Sequence, residues 1–309
     1  MSTYMKAIIA VIIASVFWGS AGIVAKVLLV HFDPFTIALL RAILASVFIL
    51  PVFFHQKLPS LQSVIKDIVP ISMLSAINIG IYYIGMQRTT VNASAVMYAA
   101  TPLLVTIISA VTIHEEMSVS KIVGILIGFI GVLSFLILPE LGHGDIGFGT
   151  PVGNLILLVA IVSWSGYIVG SRYLTNTKHY NPMLITSVSM FTSVVFLFIV
   201  NLFVPHHIDA AALTNPTIIA NFLYLGLFVT VVTYVLFQWA IGQLSSTTAS
   251  LTNYLQPIFA FFFAWIFFGE RITPAFLFGS LLVLLGVFIV TGDRLLEHVR
   301  LFRTKRRNG

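Results

Sequence analysis

Ten stretches of about twenty mostly apolar residues follow one another along the chain, with little between them. They fall at 6–29, 34–54, 67–87, 92–113, 120–138, 152–172, 182–204, 216–240, 247–268 and 275–292. A helix of that length crosses the bilayer core with its backbone groups satisfied internally. Only 8% of the residues are charged, where a soluble domain carries about 25%. The expected fold is an all-α polytopic membrane protein with ten transmembrane helices. The first stretch follows Lys6 and is longer than a signal-peptide core, so it is expected to remain as a spanning helix. Breakers mark the gaps: Asp33-Pro34 opens the second stretch, Asn181-Pro182 the seventh, Asn215-Pro216 the eighth and Pro274 the tenth. Proline suits a helix's first turn, where its missing N–H has no partner to lose. The longest polar connection, Pro139–Thr150, divides the ten into two sets of five.

A second pattern lies over the first. Residues Ala93–Val132 form an apolar helix containing a proline, a short acidic turn, and a second apolar helix with spaced glycines. The same grammar returns over Thr248–Val287. At one offset of 155 positions Pro102 meets Pro257, Glu115 meets Glu270, Gly124 meets Gly279 and Gly131 meets Gly286. Earlier in each half, Trp18 in FWGSAG is answered by Trp164 in SWSGYIVG, and Pro34 by Pro182. Five helices per half is an odd number, so a duplicated half enters the membrane from the opposite side. The expected architecture is two inverted five-helix repeats, typical of secondary transporters.

Orientation follows from the basic residues. With the N-terminus inside, the inner segments hold Lys6, Lys57, Lys66, Lys121, Arg172, Lys178, Arg294 and the basic tail, and the outer loops hold only Arg88 and Arg271. Both termini are therefore expected in the cytoplasm, with the chain a multi-pass protein of the cell membrane. The net charge of +6 sits mostly in the tail (Arg300, Arg303, Lys305, Arg306, Arg307), where it suits anionic lipid rather than nucleic acid.

Ten helices, two repeats, an early Trp-Gly, Arg41 after the Asp-Pro of the second helix, and a Pro…Glu…Gly…Gly pattern closing each half resemble the drug/metabolite transporter superfamily, in its EamA branch. The resemblance covers nearly the whole chain. It implies EamA-like repeats at 1–139 and 151–293 with a basic cytoplasmic tail at 294–309. It also implies transport of a small-molecule solute, often export of amino acids or other metabolites, by alternating access. An alternative in the same superfamily is a lipid-carrier or nucleotide-sugar-type flippase or transporter.

The candidate solute pathway begins at the two internal prolines. Pro102 and Pro257 cannot donate to the carbonyls of Tyr98 and Asn253, which leaves a spare acceptor in each kinked helix. Each proline follows two polar side chains on one helix face, Tyr98 with Thr101 and Asn253 with Gln256. These four are expected to face one another near mid-membrane. Asn78 and Tyr82, and Thr230, Tyr234 and Gln238, form further polar stripes that either wall a cavity or join helices. Trp18 and Trp164, with Tyr167, either pack or stack on a solute. Arg41 lies about 10 Å inside the second helix at 1.5 Å per residue. It either meets a solute carboxylate, snorkels outward, or bonds Asp33. Glu115 and Glu270 are expected to cap the turns they occupy, beside the start of the next helix. The glycines of the fifth and tenth helices are expected to let helices approach within the monomer; the oligomeric state stays open.

There are no cysteines, which excludes disulfides and thiolate metal sites. No HExxH, no GxSxG and no intramembrane Asp pair is present, so no enzyme, metal site or cofactor is expected. The ten carboxylates and eight histidines fall at helix ends or in loops. A buried acidic or histidine relay is the usual hardware for proton coupling, and transport without a carboxylate relay is the expectation.

Overall fold

The computed structural model describes residues 3–112, 117–138, 148–241 and 252–307; at Tyr4, Gln238, Ile241, 252–254 and 291–307 it describes the backbone alone. The described chain is a helical bundle with one isolated bridge, Phe32 to Ile208. Its helices are α1 (Thr3–Leu28), α2 (Pro34–Phe54), α3 (Leu61–Arg88), α4 (Val91–Thr112), α5 (Val119–Ile137), α6 (Pro151–Asn176) and α7 (Pro182–Asn201). Next comes α8, in three consecutive stretches (Pro216–Leu223, Tyr224–Val232, Thr233–Ile241), then α9 (Thr252–Phe268) and α10 (Pro274–Arg307). Among the described residues, eight helices (α1–α8) are long and apolar enough to cross a membrane. The apolar parts of α9 and α10, Leu255–Phe268 and Pro274–Val290, are shorter. α10 runs on through residues 294–307, where the basic tail is expected. Leu, Glu, Lys and Arg are all good helix formers, so nothing there stops the helix.

Several helix starts have a local cause. Asp33 accepts the N–H groups of Phe35 and Thr36 at 3.0 and 2.9 Å. Thr150, Asn181 and Asn215 do the same for Gly153, Met183 and Thr217, and each of these caps precedes a proline. The side chain satisfies donors that lipid would leave unpaired.

Contacts between connections show that neighbouring helices alternate in direction. At one end Asp33 N–H donates to the His207 carbonyl (2.9 Å) and Thr150 N–H to that of Arg88 (3.1 Å). At the opposite end the Tyr180 hydroxyl donates to Asp67 (2.8 Å), with Lys178 Nζ 3.7 Å from the same carboxylate. Large apolar side chains remain exposed on the bundle's outside, among them Leu126, Ile130 and Leu133 of α5 and Phe278, Leu281 and Phe288 of α10. Such a continuous apolar surface is at home in lipid.

The closest-packed helix pairs are α5 with α10, α3 with α6, α1 with α9 and α2 with α7. Two apolar cores result. One gathers Leu28, Phe32, Ile37 and Leu225 from around α1, α2 and α8. The other gathers Val96, Leu103, Phe135 and Val283 from around α4, α5 and α10.

Candidate functional site

A narrow cavity lies between α2, α3, α7 and α8. Its surface is mostly apolar, from Ala42, Ala45, Ile79 and Met190, and its polar groups are Arg41 of α2, Ser75 of α3, Thr186, Ser189 and Ser193 of α7, and Thr230 and Tyr234 of α8. Its free space suits about one or two water molecules. Arg41 is 9% exposed, so it does not snorkel. Its Nε donates to Thr230 Oγ1 at 2.9 Å and its Nη1 to the Tyr83 hydroxyl at 3.3 Å. The Asp33 carboxylate is used elsewhere, capping α2 and receiving the Thr36 hydroxyl at 2.6 Å.

Thr230 owes its position to a π-helical stretch, Tyr224–Val232, in the middle of α8. Its hydroxyl donates to the carbonyl of Leu225, five residues back, at 2.7 Å, and so presents its lone pairs to Arg41. Single π turns of this kind often mark functional positions. Ser189, at the place in α7 that matches Arg41 in α2 counted from Pro182 and Pro34, lies in the same wall. It is within hydrogen-bond reach of Ser72 (2.9 Å) and donates to Tyr167 (3.3 Å).

Aromatic rings line up beside the cavity. Tyr234 meets Trp18 edge-on at 6.1 Å and Trp164 at 5.8 Å, and Trp164 stacks on Tyr167 at 5.2 Å. Tyr82 contacts both Tyr83 (5.2 Å) and Tyr98 (5.6 Å). Trp18, Trp164, Tyr167 and Tyr234 are thus brought into one chain of ring contacts, and Tyr82 and Tyr83 into a second that reaches Arg41.

The helix pair singled out from the sequence, α4 and α9, contributes differently from the expectation. Pro102 does interrupt α4, which breaks at Ala100 into Val91–Ala99 and Thr101–Thr112. The Tyr98 carbonyl it frees is not a spare acceptor, however, because the Thr101 hydroxyl donates to it at 2.6 Å. A threonine three residues on closes this bond within its own turn, and so Thr101 stabilises the kink instead of facing a solute. Tyr98 accepts from Asn78 Nδ2 at 2.7 Å, and the same nitrogen donates to the Ala160 carbonyl at 2.8 Å. Asn78 therefore joins α3, α4 and α6. In α9, Pro257 lies inside a continuous helix, and the Gln256 carbonyl abuts Gly19 of α1. The side chains of Asn253 and Gln238 lie outside the described residues, as does Glu115. None of Thr101, Gln256 or Asn78 lines the cavity.

The stripe Thr186, Ser189, Ser193 was the signal missed in the sequence. Its spacing of three and then four puts it on one face of α7, as a helix requires. A Thr101→Val variant should lose about 1–2 kcal/mol of stability, the cost of a buried carbonyl without its donor. Denaturant unfolding in detergent micelles reads that loss, and solute selectivity should not change.

Glu270, between α9 and α10, also departs from expectation. It caps neither its own turn nor α10. Its two carboxylate oxygens accept the N–H groups of Val91 and Asn92 at 2.9 and 3.0 Å, at the start of α4. The residue is 9% exposed. Burial raises its carboxyl pKa above the ordinary value of 4.5, against the opposing pull of those N–H groups and of Lys26. The other described carboxylates also sit at the bundle ends: Asp33 and Asp67 as above, and Asp209 with His31 Nδ1 at 3.0 Å.

A model of the EamA-like transporter family matches the chain twice, over residues 5–137 and 151–292. The transporter YoaV of Bacillus subtilis is 27% identical over 290 residues, covering 93% of this chain and 97% of its own length. The S-adenosylmethionine/S-adenosylhomocysteine transporter of Chlamydia trachomatis serovar L2 is 26% identical, covering 94% of this chain and 89% of its own. A solved crystal structure shares the fold at a TM-score of 0.62 and 16% identity, covering 95% of this chain and 99% of that one. With its long apolar helices and these relatives, the chain is a multi-pass membrane transporter of a small-molecule solute, and it belongs to the EamA-like transporter family.

Proposed function

We propose that the chain exports a small, amino-acid-like metabolite across the cell membrane by alternating exposure of the Arg41 cavity. In this reading ten spanning helices form two inverted five-helix halves, 1–139 and 151–293, with both termini cytoplasmic. The observation that carries it is the cavity's position between α2 and α7 and between α3 and α8, the helices that an inverted repeat would relate. The wider packing fits the same exchange. Swapping each helix with its partner five places on turns the α1–α9 contact into α6–α4 and the α3–α6 contact into α8–α1, all of which are present. The α2–α7, α4–α9 and α5–α10 contacts map onto themselves. Two halves that rock about a site on their shared axis would expose it to each side in turn. Lys57, Lys66, Arg172 and Lys178 belong to the end that holds Asp67, which fits a cytoplasmic face there. An amino-acid-derived solute fits the relative named for S-adenosylmethionine and S-adenosylhomocysteine. Export follows the family resemblance.

The test is the purified protein in liposomes, challenged with amino acids, nucleosides and sugar phosphates. Saturable uptake of at least one amino acid is expected, and uptake of none would remove the reading. Tyr234→Ala, which opens a gap between Trp18 and Trp164, should lower that uptake about tenfold, near 1.4 kcal/mol. With no carboxylate relay in the pathway, flux at fixed membrane potential should be indifferent to an imposed proton gradient; a several-fold rise would contradict that part.

A further inference from the structure

We infer that Arg41 is the seat of a carboxylate on the transported solute, and that this contact sets which solutes are carried. This rests on the transport reading above and narrows it. Arg41 is a permanent cation inside an apolar bundle, and among the described residues no carboxylate lies against it. The four described carboxylates, Asp33, Asp67, Asp209 and Glu270, are each engaged at a bundle end. Its protein partners are two neutral hydroxyls, Thr230 and Tyr83, which use Nε and Nη1. No described residue accepts from Nη2. A charge buried this way is costly unless a counter-charge completes it.

The cavity supplies a place for one. Arg41 forms part of its wall, and the buried Thr186 hydroxyl lies in the same wall. The space holds about one or two waters as it stands, so a solute enters when the helices around it part; a planar carboxylate can then lie in the plane of the guanidinium and take a second bond from a hydroxyl. A solute with that group neutralises Arg41, so the loaded carrier hides less uncompensated charge than the empty one. Reorientation of the loaded form should then be the faster, and solute on the far side should accelerate exchange.

The experiment uses the full chain in liposomes with the twenty proteinogenic L-amino acids, each beside its own carboxamide. The amide keeps size and side chain but removes the negative charge. The expected result is saturable uptake of at least one acid, with its amide carried at least about tenfold less well, the difference between a charge-assisted and a neutral contact. Unlabelled acid inside should stimulate uptake of labelled acid. Arg41→Gln should bring the acid-to-amide ratio close to one. Arg41→Lys should keep part of the preference, having the charge without the planar fork. If Arg41→Gln does not fold, the Arg41→Lys ratio decides: a value unchanged from the parent overturns the proposal. Equal carriage of acid and amide by the parent protein overturns the seat while leaving transport standing, whereas uptake of neither removes the amino-acid reading on which the proposal rests.

Discussion

Glu270→Ala should undo the docking of the α9–α10 connection onto α4 and lower stability by about 3–5 kcal/mol. The figure is that of breaking a buried, charge-assisted arrangement by removing one partner. The carboxylate bridges two chain segments 179 and 178 residues apart, accepting from Val91 at 2.9 Å and Asn92 at 3.0 Å. Those donors open α4, where the N–H groups lack intrahelical partners and the helix dipole favours an anion. Without the side chain they face a site too buried for bulk water to replace it. Glu270→Gln retains one acceptor but turns an amide N–H toward the second donor, so it should fall between alanine and the parent. Denaturant titration in detergent micelles at fixed pH reads both losses, and a loss below 1 kcal/mol for alanine would contradict the docking.

The same residue fixes a pH dependence. Its pKa is raised in the folded protein, chiefly by burial. The folded state therefore holds the proton more tightly than the unfolded state does. The proton-linked part of this group's stabilisation is full below the ordinary value of 4.5 and is lost as pH rises through the raised one, while the bonds to Val91 and Asn92 remain. The parent's unfolding midpoint should drift down over that window, and that of Glu270→Gln should lack this component.

Glu270 also illustrates what a sequence can and cannot disclose. The spanning helices were legible because a bilayer requires long apolar runs, and their starts because Asp33, Asn181 and Asn215 stand directly before prolines. Arg41 stood out because a cation seven residues into an apolar helix has few structural excuses. Trp18 and Trp164 stood out as aromatics within their helices, and Tyr234 as a member of a polar stripe. Hydroxyl partners were not. Thr101 could have faced a cavity, but a local turn gave it the Tyr98 carbonyl at 2.6 Å. Nor does any local pattern say that Glu270 reaches α4 instead of α10, since the choice depends on how helices far apart in sequence meet. The cavity moved from α4 and α9 to α2, α3, α7 and α8 for the same reason: kinks mark where a helix bends, and packing decides where space remains.

Gly286→Leu should be the most damaging single change in the apolar part of the bundle. The α5–α10 contact is built on backbone approach. A Cβ placed on Gly286 would sit 2.5 Å from the Gly124 carbonyl oxygen and 2.5 Å from Gly128 Cα. One placed on Gly131 would come within 2.6 Å of Val283 N. These neighbours are backbone, so no rotamer change relieves the clash, and the helices must separate. In lipid the loss is not softened by a hydrophobic effect, since tails solvate the parted faces as well as the helices did each other; close packing is what holds them. Alanine at 286 should already cost about 1–3 kcal/mol, the usual scale of overpacking, and leucine more than that. Leu126, on the lipid side of the same helix α5 and 60% exposed, provides the control. Leu126→Phe should insert and unfold like the parent. The measurement is the fraction of monodisperse protein recovered in detergent, followed by denaturant titration. Recovery of Gly286→Leu at the parent's level and stability would mean that α5 and α10 are not held together by this contact.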